Sequence, residues 1–139
     1  MRRRVWSEVL VLALLVLTAA ACDDDNGTPI NPTPPPVSST ETFSGTLTVN
    51  GAQTFTFVSN AGSVTATMTA LAPDPLAVIG MAIGTSSGTT CQIILANDNA
   101  SINAMVNGAV TTQGTLCVRI YDVGKITGSV TFSVAVEHF

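Results

Sequence analysis

The sequence predicts an all-β domain, an antiparallel sandwich or barrel of about eight strands, over residues 41–139. Apolar and polar residues alternate there with a period of two, the mark of strands that bury one face. The alternating runs are separated by Asn, Gly, Asp, Ser and Pro at spacings of about 8 to 15 residues, as in sandwiches and barrels. No stretch in this range needs a helix to explain its pattern.

From Thr42 to Val49 the odd positions are Phe43, Gly45, Leu47 and Val49, and the even ones are Thr42, Ser44, Thr46 and Thr48. Asn50-Gly51 follows, and because both residue types tolerate positive φ it predicts a type I′ hairpin. A second strand resumes at Gln53–Val58 with Phe55 and Phe57 on one face, and Ser59-Asn60-Ala61-Gly62 turns the chain again. Val64, Ala66, Met68 and Ala70 then alternate with threonines until Pro73-Asp74-Pro75 removes ladder donors. Leu76–Ile83 is apolar on both faces and reads as a central strand covered on both sides. A short core helix is the competing reading, disfavoured by Gly80 and by β-branched Val78, Ile79 and Ile83. After a Thr85-Ser86-Ser87-Gly88 loop come a strand at Cys91–Ala96, a turn at Asn97-Asp98-Asn99, a strand with Ile102, Ala104 and Val106 on one face, and a turn at Asn107-Gly108. Leu116, Val118 and Ile120 alternate with Cys117, Arg119 and Tyr121 in the seventh strand, and Val130, Phe132, Val134 and Val136 mark the eighth.

Residues 41–139 contain 16 Thr and 8 Ser but seven Asp, Glu, Lys and Arg together. Threonine suits an exposed strand, yet it leaves edges without the charges that block edge-to-edge pairing. Either the edges are covered or the domain associates readily. With five Lys+Arg in the whole chain, no basic stripe exists to hold nucleic acid.

Residues 1–21 have a different character. Arg2, Arg3 and Arg4 form a basic head, Val9–Leu17 is an unbroken apolar run, and Thr18-Ala19-Ala20-Ala21 leads into Cys22. This is the layout of a secretory signal peptide. A transmembrane anchor is the alternative, but it needs roughly 18 or more apolar residues. Ala19-Ala20-Ala21-Cys22 resembles the lipobox of bacterial lipoproteins, which implies cleavage before Cys22 and acylation of its thiol. Ala19-x-Ala21 also suits ordinary signal peptidase, which would leave a soluble secreted protein beginning at a free cysteine. Cysteine parity separates the two: lipidated Cys22 leaves Cys91 and Cys117 as an even pair, and export to an oxidising compartment predicts their disulfide.

Residues 22–40 read as the lipidated cysteine and a disordered tether, with Asp23, Asp24 and Asp25 followed by Pro29, Pro32, Pro34, Pro35 and Pro36. The aspartates are a solvated charge run. At about 3.1 Å per residue in a polyproline conformation, the 18 residues after Cys22 span up to roughly 55 Å.

At domain scale, Phe55-Thr56-Phe57, Ala61-Gly62-Ser63-Val64, Leu76–Ile83, Gln113–Ile120 and Val130-Thr131-Phe132-Ser133-Val134 resemble the bacterial pre-peptidase C-terminal domain. The resemblance implies a jelly-roll sandwich attached to an exported protein. It also implies calcium binding, known in some relatives. Here Leu116 and Cys117 stand where that family carries aromatics, and Asp74 alone remains of its acidic group, so no cofactor is expected. Asp98, with Asp74, is the one oxygen-donor candidate for calcium, against an Asx-type turn as the structural reading.

Nucleophilic hydrolysis needs a positioned base, and the only imidazole, His138, reads as a solvated tail residue. Glu41, Asp74, Asp98, Asp122 and Glu137 are too dispersed to nominate a glycosidase pair. The sequence thus predicts a non-enzymatic lipoprotein of the bacterial envelope, at the periplasmic face of the outer membrane or at the cell surface, held by its N-terminal lipid. Its β domain would act through protein contact or as a structural module. A carbohydrate-binding module is the alternative, with Tyr121 as the ring available to stack on an envelope polysaccharide.

Overall fold

A computed structural model describes residues 33–139, and Cys22, the signal segment and Asp23–Asp25 lie outside the described residues. Pro35–Phe139 forms one compact unit. It contains eight strands: β1 (Ser39–Leu47), β2 (Ala52–Ser59), β3 (Gly62–Ala72), β4 (Ile79–Ser87), β5 (Thr90–Ala100), β6 (Met105–Val110), β7 (Gly114–Tyr121) and β8 (Val130–His138). They build two antiparallel four-stranded sheets of order β1-β8-β3-β6 and β2-β7-β4-β5. That is the strand order of a jelly roll, so the all-β sandwich expected from the period-two pattern is observed.

The core lies between the sheets. Leu47, Met68, Ile79, Met81, Val118, Ile120, Val134 and Val136 have no solvent exposure. Around the start of β2, Phe43 stacks on Phe55 at 5.1 Å between ring centres, and Phe55 meets Phe132 edge-on at 6.1 Å. Burial of β4 from Ile79 to Gly84 is continuous, as expected of a strand covered on both sides, but the strand begins at Ile79, and Leu76 is 82% exposed in the preceding loop.

Several turns predicted from local chemistry are corrected. Asn50-Gly51 does not close a hairpin: β1 pairs with β8 and β2 with β7, so the turn carries the chain from one sheet to the other. A type I′ turn needs positive φ at both central residues, and only Asn50, at 57°, has it. Gly51 instead donates its N–H to the Thr48 carbonyl at 2.8 Å. Asn97-Asp98-Asn99 is not a turn but lies inside β5, and Asn107-Gly108 lies inside β6. At Asn107-Gly108 pairing with β3 supplies the backbone partners, whereas within β5 the register to β4 skips Asp98 and Asn99, and the Asn99 N–H is satisfied by the Asn97 side chain as in an Asx turn. Among the described residues, β4 to β5 is the one connection between consecutive strands that stays within a sheet. Its two-residue loop begins at Gly88, whose φ of 61° is what a type II′ turn asks of its first central residue.

His138 is also corrected. It is not a solvated tail residue but 5% exposed, because β8 runs on past Val136 and pairs Ser39 with His138. Its ring packs on Phe57 at 5.1 Å, and its Nε2 lies 3.1 Å from Glu41 Oε1. It thereby ties β8 to the edge strand β1.

Candidate functional site

One end of the sandwich gathers most of the domain's ionisable groups. Tyr121 closes β7, opposite Gly80 of β4, and a Cβ added at Gly80 would fall 2.3 Å from the tyrosine ring, so one ring face lies against bare backbone. The Tyr121 hydroxyl donates to Asp98 on β5. Next to it, the Asn99 N–H donates to Asn97 Oδ1 at 2.9 Å, and Lys125 Nζ donates to Asn99 Oδ1 at 2.6 Å. Burial, and the hydrogen bond to Asp98, push the Tyr121 phenol up to about 12.

Asp122 organises the adjoining loop. One carboxylate oxygen accepts the Asn50 N–H at 2.8 Å, and the other accepts those of Gly124 at 2.8 Å and Lys125 at 3.1 Å. These donors, Asn50 foremost, hold its carboxyl below the ordinary carboxylate value. Its own N–H donates to the Gly51 carbonyl at 3.0 Å, so the turn between β1 and β2 is pinned to the end of β7.

A cavity of about 210 Å³ opens between the Pro73–Ala77 segment and Lys125–Val130, with Asp74 and Lys125 among its walls. Asp74 Oδ1 accepts the Leu76 N–H at 2.9 Å, an Asx turn. The two oxygen-donor candidates thus have separate partners: Asp74 caps a turn, and Asp98 holds Tyr121. Among the described residues no three His, Cys, Asp or Glu side chains are grouped to hold a metal ion.

The predicted pair Cys91 and Cys117 forms a disulfide with Cα atoms 5.9 Å apart. It joins β5 to β7 across the strand between them, β4. Cys117 pairs with Gly84 of β4, and Cys91 with Ser86 of the same strand.

The second notable surface is apolar. β5 and β6 are edge strands on the same side of the two sheets. Ile93, Ile94 and Leu95 of β5 are 46%, 65% and 38% exposed. Pairing steps from Gly84 with Ile93 to Ile83 with Leu95, so Ile94 is an extra residue in a β-bulge. Leu95 reaches across to β6, where a Cβ on Gly108 would lie 3.0 Å from its Cδ1. A shallow groove of about 60 Å³ runs beside it, lined by Val64, Ile83, Ile94, Val110 and Leu116 among others.

Sequence reasoning did not single out Asp122, Lys125 or this edge. Asp122-Val123-Gly124 directly after a strand is a turn signal in which an aspartate accepts the N–H two residues on. Three consecutive apolar residues, Ile93-Ile94-Leu95, cannot all point inward on a strand with a side-chain period of two, and that was the legible sign of the apolar edge.

No protein-family model matches the chain, and no curated protein matches it. Among solved structures, the chain is similar to Aeromonas hydrophila PliG, a periplasmic lysozyme inhibitor of g-type lysozyme, with 18% identity over 70% of this chain and 83% of that one and a TM-score of 0.50. It is also similar to the Yersinia pseudotuberculosis-derived mitogen YPM, with 14% identity over 73% of this chain and 85% of that one and a TM-score of 0.49. At 18% identity the likeness to PliG is one of fold, and the fold is the β-sandwich described above.

Tyr121 is the only tyrosine in the chain, which makes its environment directly readable. Its phenolate absorbance should appear with a midpoint of about 12 rather than 10.0, and Asp98→Asn should move that midpoint back towards 10.0. Because the folded value is raised, the stabilisation from this contact is complete below the unfolded value and is lost as pH climbs through the folded one. A midpoint near 10.0 in the parent protein would show that the Asp98 contact is not formed.

Proposed function

We propose that the protein is a non-catalytic lipoprotein of the bacterial cell envelope whose sandwich, of pre-peptidase C-terminal type, is a protein-contact module. Residues 1–21 are its signal peptide, Cys22 its lipidated residue, residues 22–40 its tether and residues 41–139 the presented domain. The observation that carries the contact role is the exposed apolar edge at Ile93, Ile94 and Leu95, on a stretch of β5, Thr90–Asn97, that holds no charged residue. Contiguous apolar surface of this kind marks interaction sites. The fold accommodates the role, since PliG, which resembles this chain in fold, is a periplasmic lysozyme inhibitor. The Cys91–Cys117 disulfide is in keeping with export. Nothing in the geometry favours the carbohydrate alternative, because the Tyr121 ring has one face against Gly80 and its hydroxyl on Asp98.

The test is site-specific photocrosslinking in intact cells, with a photoreactive phenylalanine analogue at position 94 of the full chain. A protein adduct at 94 is the expected result, and its absence would count against the contact role. In the same cells, Cys22→Ala should shift the protein out of the membrane fraction, and retention there would argue against lipidation.

A further inference from the structure

Alternation along β7 sends Leu116, Val118 and Ile120 into the core, so Cys117, Arg119 and Tyr121 stand on the outer face of the β2-β7-β4-β5 sheet. Because β7 is an interior strand, Arg119 stands within that face rather than at its rim. Its row across the sheet is Thr54 of β2, Ala82 of β4 and, beyond Ala82, Ala96 of β5. Along β7 its neighbours on the same face are the disulfide at Cys117 and the Tyr121 ring. None of these is an anion. The carboxylate of Asp98, beside Tyr121, accepts the tyrosine hydroxyl, and among the described residues the one salt-bridge contact joins His138 to Glu41. The only arginine among the described residues therefore has no carboxylate in contact.

Arg119 is also partly buried, and Ala82 in its row is fully buried although it faces away from the core. A guanidinium taken partly out of water loses hydration that an anion restores. Its planar fork takes a carboxylate through two parallel hydrogen bonds, and arginines so placed are frequent anchors of protein interfaces. The rest of the molecule narrows the class of anion. Residues 41–139 carry five carboxylates against two cations, so a lipid surface or a polyanionic glycan, each held by several cations together, is disfavoured. One guanidinium amid threonine, alanine and a tyrosine ring suits a single carboxylate with neutral neighbours, as an Asp or Glu side chain presents it on a protein. The row ends at Ala96, next in sequence to Leu95, so this face runs into the exposed edge of β5.

From these observations we infer that Arg119 is an acid-recognising anchor, and that the partner is a protein that sets an Asp or Glu side chain on its guanidinium over the outer face of β2 and β7. The inference rests on the reading of the domain as a protein-contact module and states the chemistry of its partner.

For the test, the full-length chain carries the photoreactive phenylalanine analogue at Thr54, exposed and directly opposite Arg119, or, as a control, at Thr131, exposed on β8 of the other sheet. Irradiation of intact cells should give a protein adduct at 54 and none at 131. Arg119→Gln should lower the adduct at 54 by about tenfold, the loss expected for one charge-assisted contact. Arg119→Lys, which keeps the charge but not the two-pronged geometry, should fall between. Among the carboxylate residues near the crosslinked position of the partner, one changed to Arg should abolish the adduct with the parent chain and restore it with Arg119→Glu. Rescue by a change in the partner separates lost recognition from lost folding. An adduct at 54 that persists undiminished in Arg119→Gln, the absence of rescue by any charge exchange, or a lipid or glycan adduct in place of a protein one overturns the inference. An adduct at 94 with none at 54 also overturns it but leaves the contact role standing, and no adduct at either position removes both.

Discussion

Gly84→Ala should be among the most destabilising single substitutions in the domain. A Cβ at this position would lie 2.0 Å from the Gln92 carbonyl oxygen, 2.6 Å from its carbonyl carbon and 3.0 Å from the Ile93 Cα. All three are backbone atoms, so no rotamer change relieves the contact. The only relief is to lift β5 from β4, and β5 is also held from the far side by the disulfide at Cys91. Overpacking in a core typically costs 1–3 kcal/mol, and a clash against backbone belongs at or above the top of that range, about 3 kcal/mol or more. Against a total stability of about 5–15 kcal/mol, urea unfolding should show a large drop in midpoint. A variant that unfolds at the parent midpoint would show that β5 does not cross Gly84 as closely as described.

Removing the disulfide in the Cys91→Ala, Cys117→Ala double variant should lower stability by about 3.5 kcal/mol, the chain-entropy value for a loop of this length between residues 26 apart in sequence. The loss should be local as well as global. Cys117 is fully buried in β7, while Cys91 sits near the start of the edge strand, so β5 should gain most freedom. Hydrogen exchange should therefore rise first at Thr90–Ala96, before the β7 amides respond. Uniform loss of protection across both sheets, or a change in stability below about 1 kcal/mol, would contradict this account.

The two effects share one cause. β5 is an edge strand with a bulged register and partly exposed apolar residues, and it stays in place through a close backbone approach at Gly84 and a covalent tie across β4. The apolar surface proposed as the contact site is consequently presented on a firmly held strand, which limits the ordering cost of binding.

Much of this fold was legible locally. The alternation of Leu116, Val118 and Ile120 and of Val130, Phe132, Val134 and Val136 marked β7 and β8, because a strand with one buried face writes its period into the sequence. The same register, carried two residues further, places His138 inside. That sign was in the sequence, and it was outweighed by the position of the residue beside the end of the chain. Pairing of Cys91 with Cys117 was legible from cysteine parity, although the strand that lies between them, β4, was not.

What the sequence by itself determined is the class of the domain, the strands with clean alternation, the neutral threonine-rich surface and the absence of a basic stripe. What only the tertiary structure decided is which strands share a sheet, and with it the meaning of every turn. Asn50-Gly51 has the local chemistry of a hairpin, yet it joins two sheets, because Leu47 on one side and Phe57 on the other are buried in the core, with Phe43 and Phe55 packed partly buried against it. The physical reason is that turn propensity amounts to little against burial of apolar side chains, at about 25 cal/mol per Å². That burial depends on partners as distant as Ser39 and His138, which no local window contains. The apolar β5–β6 edge and the Tyr121–Asp98 contact arise in the same way, from residues that only the sandwich brings together.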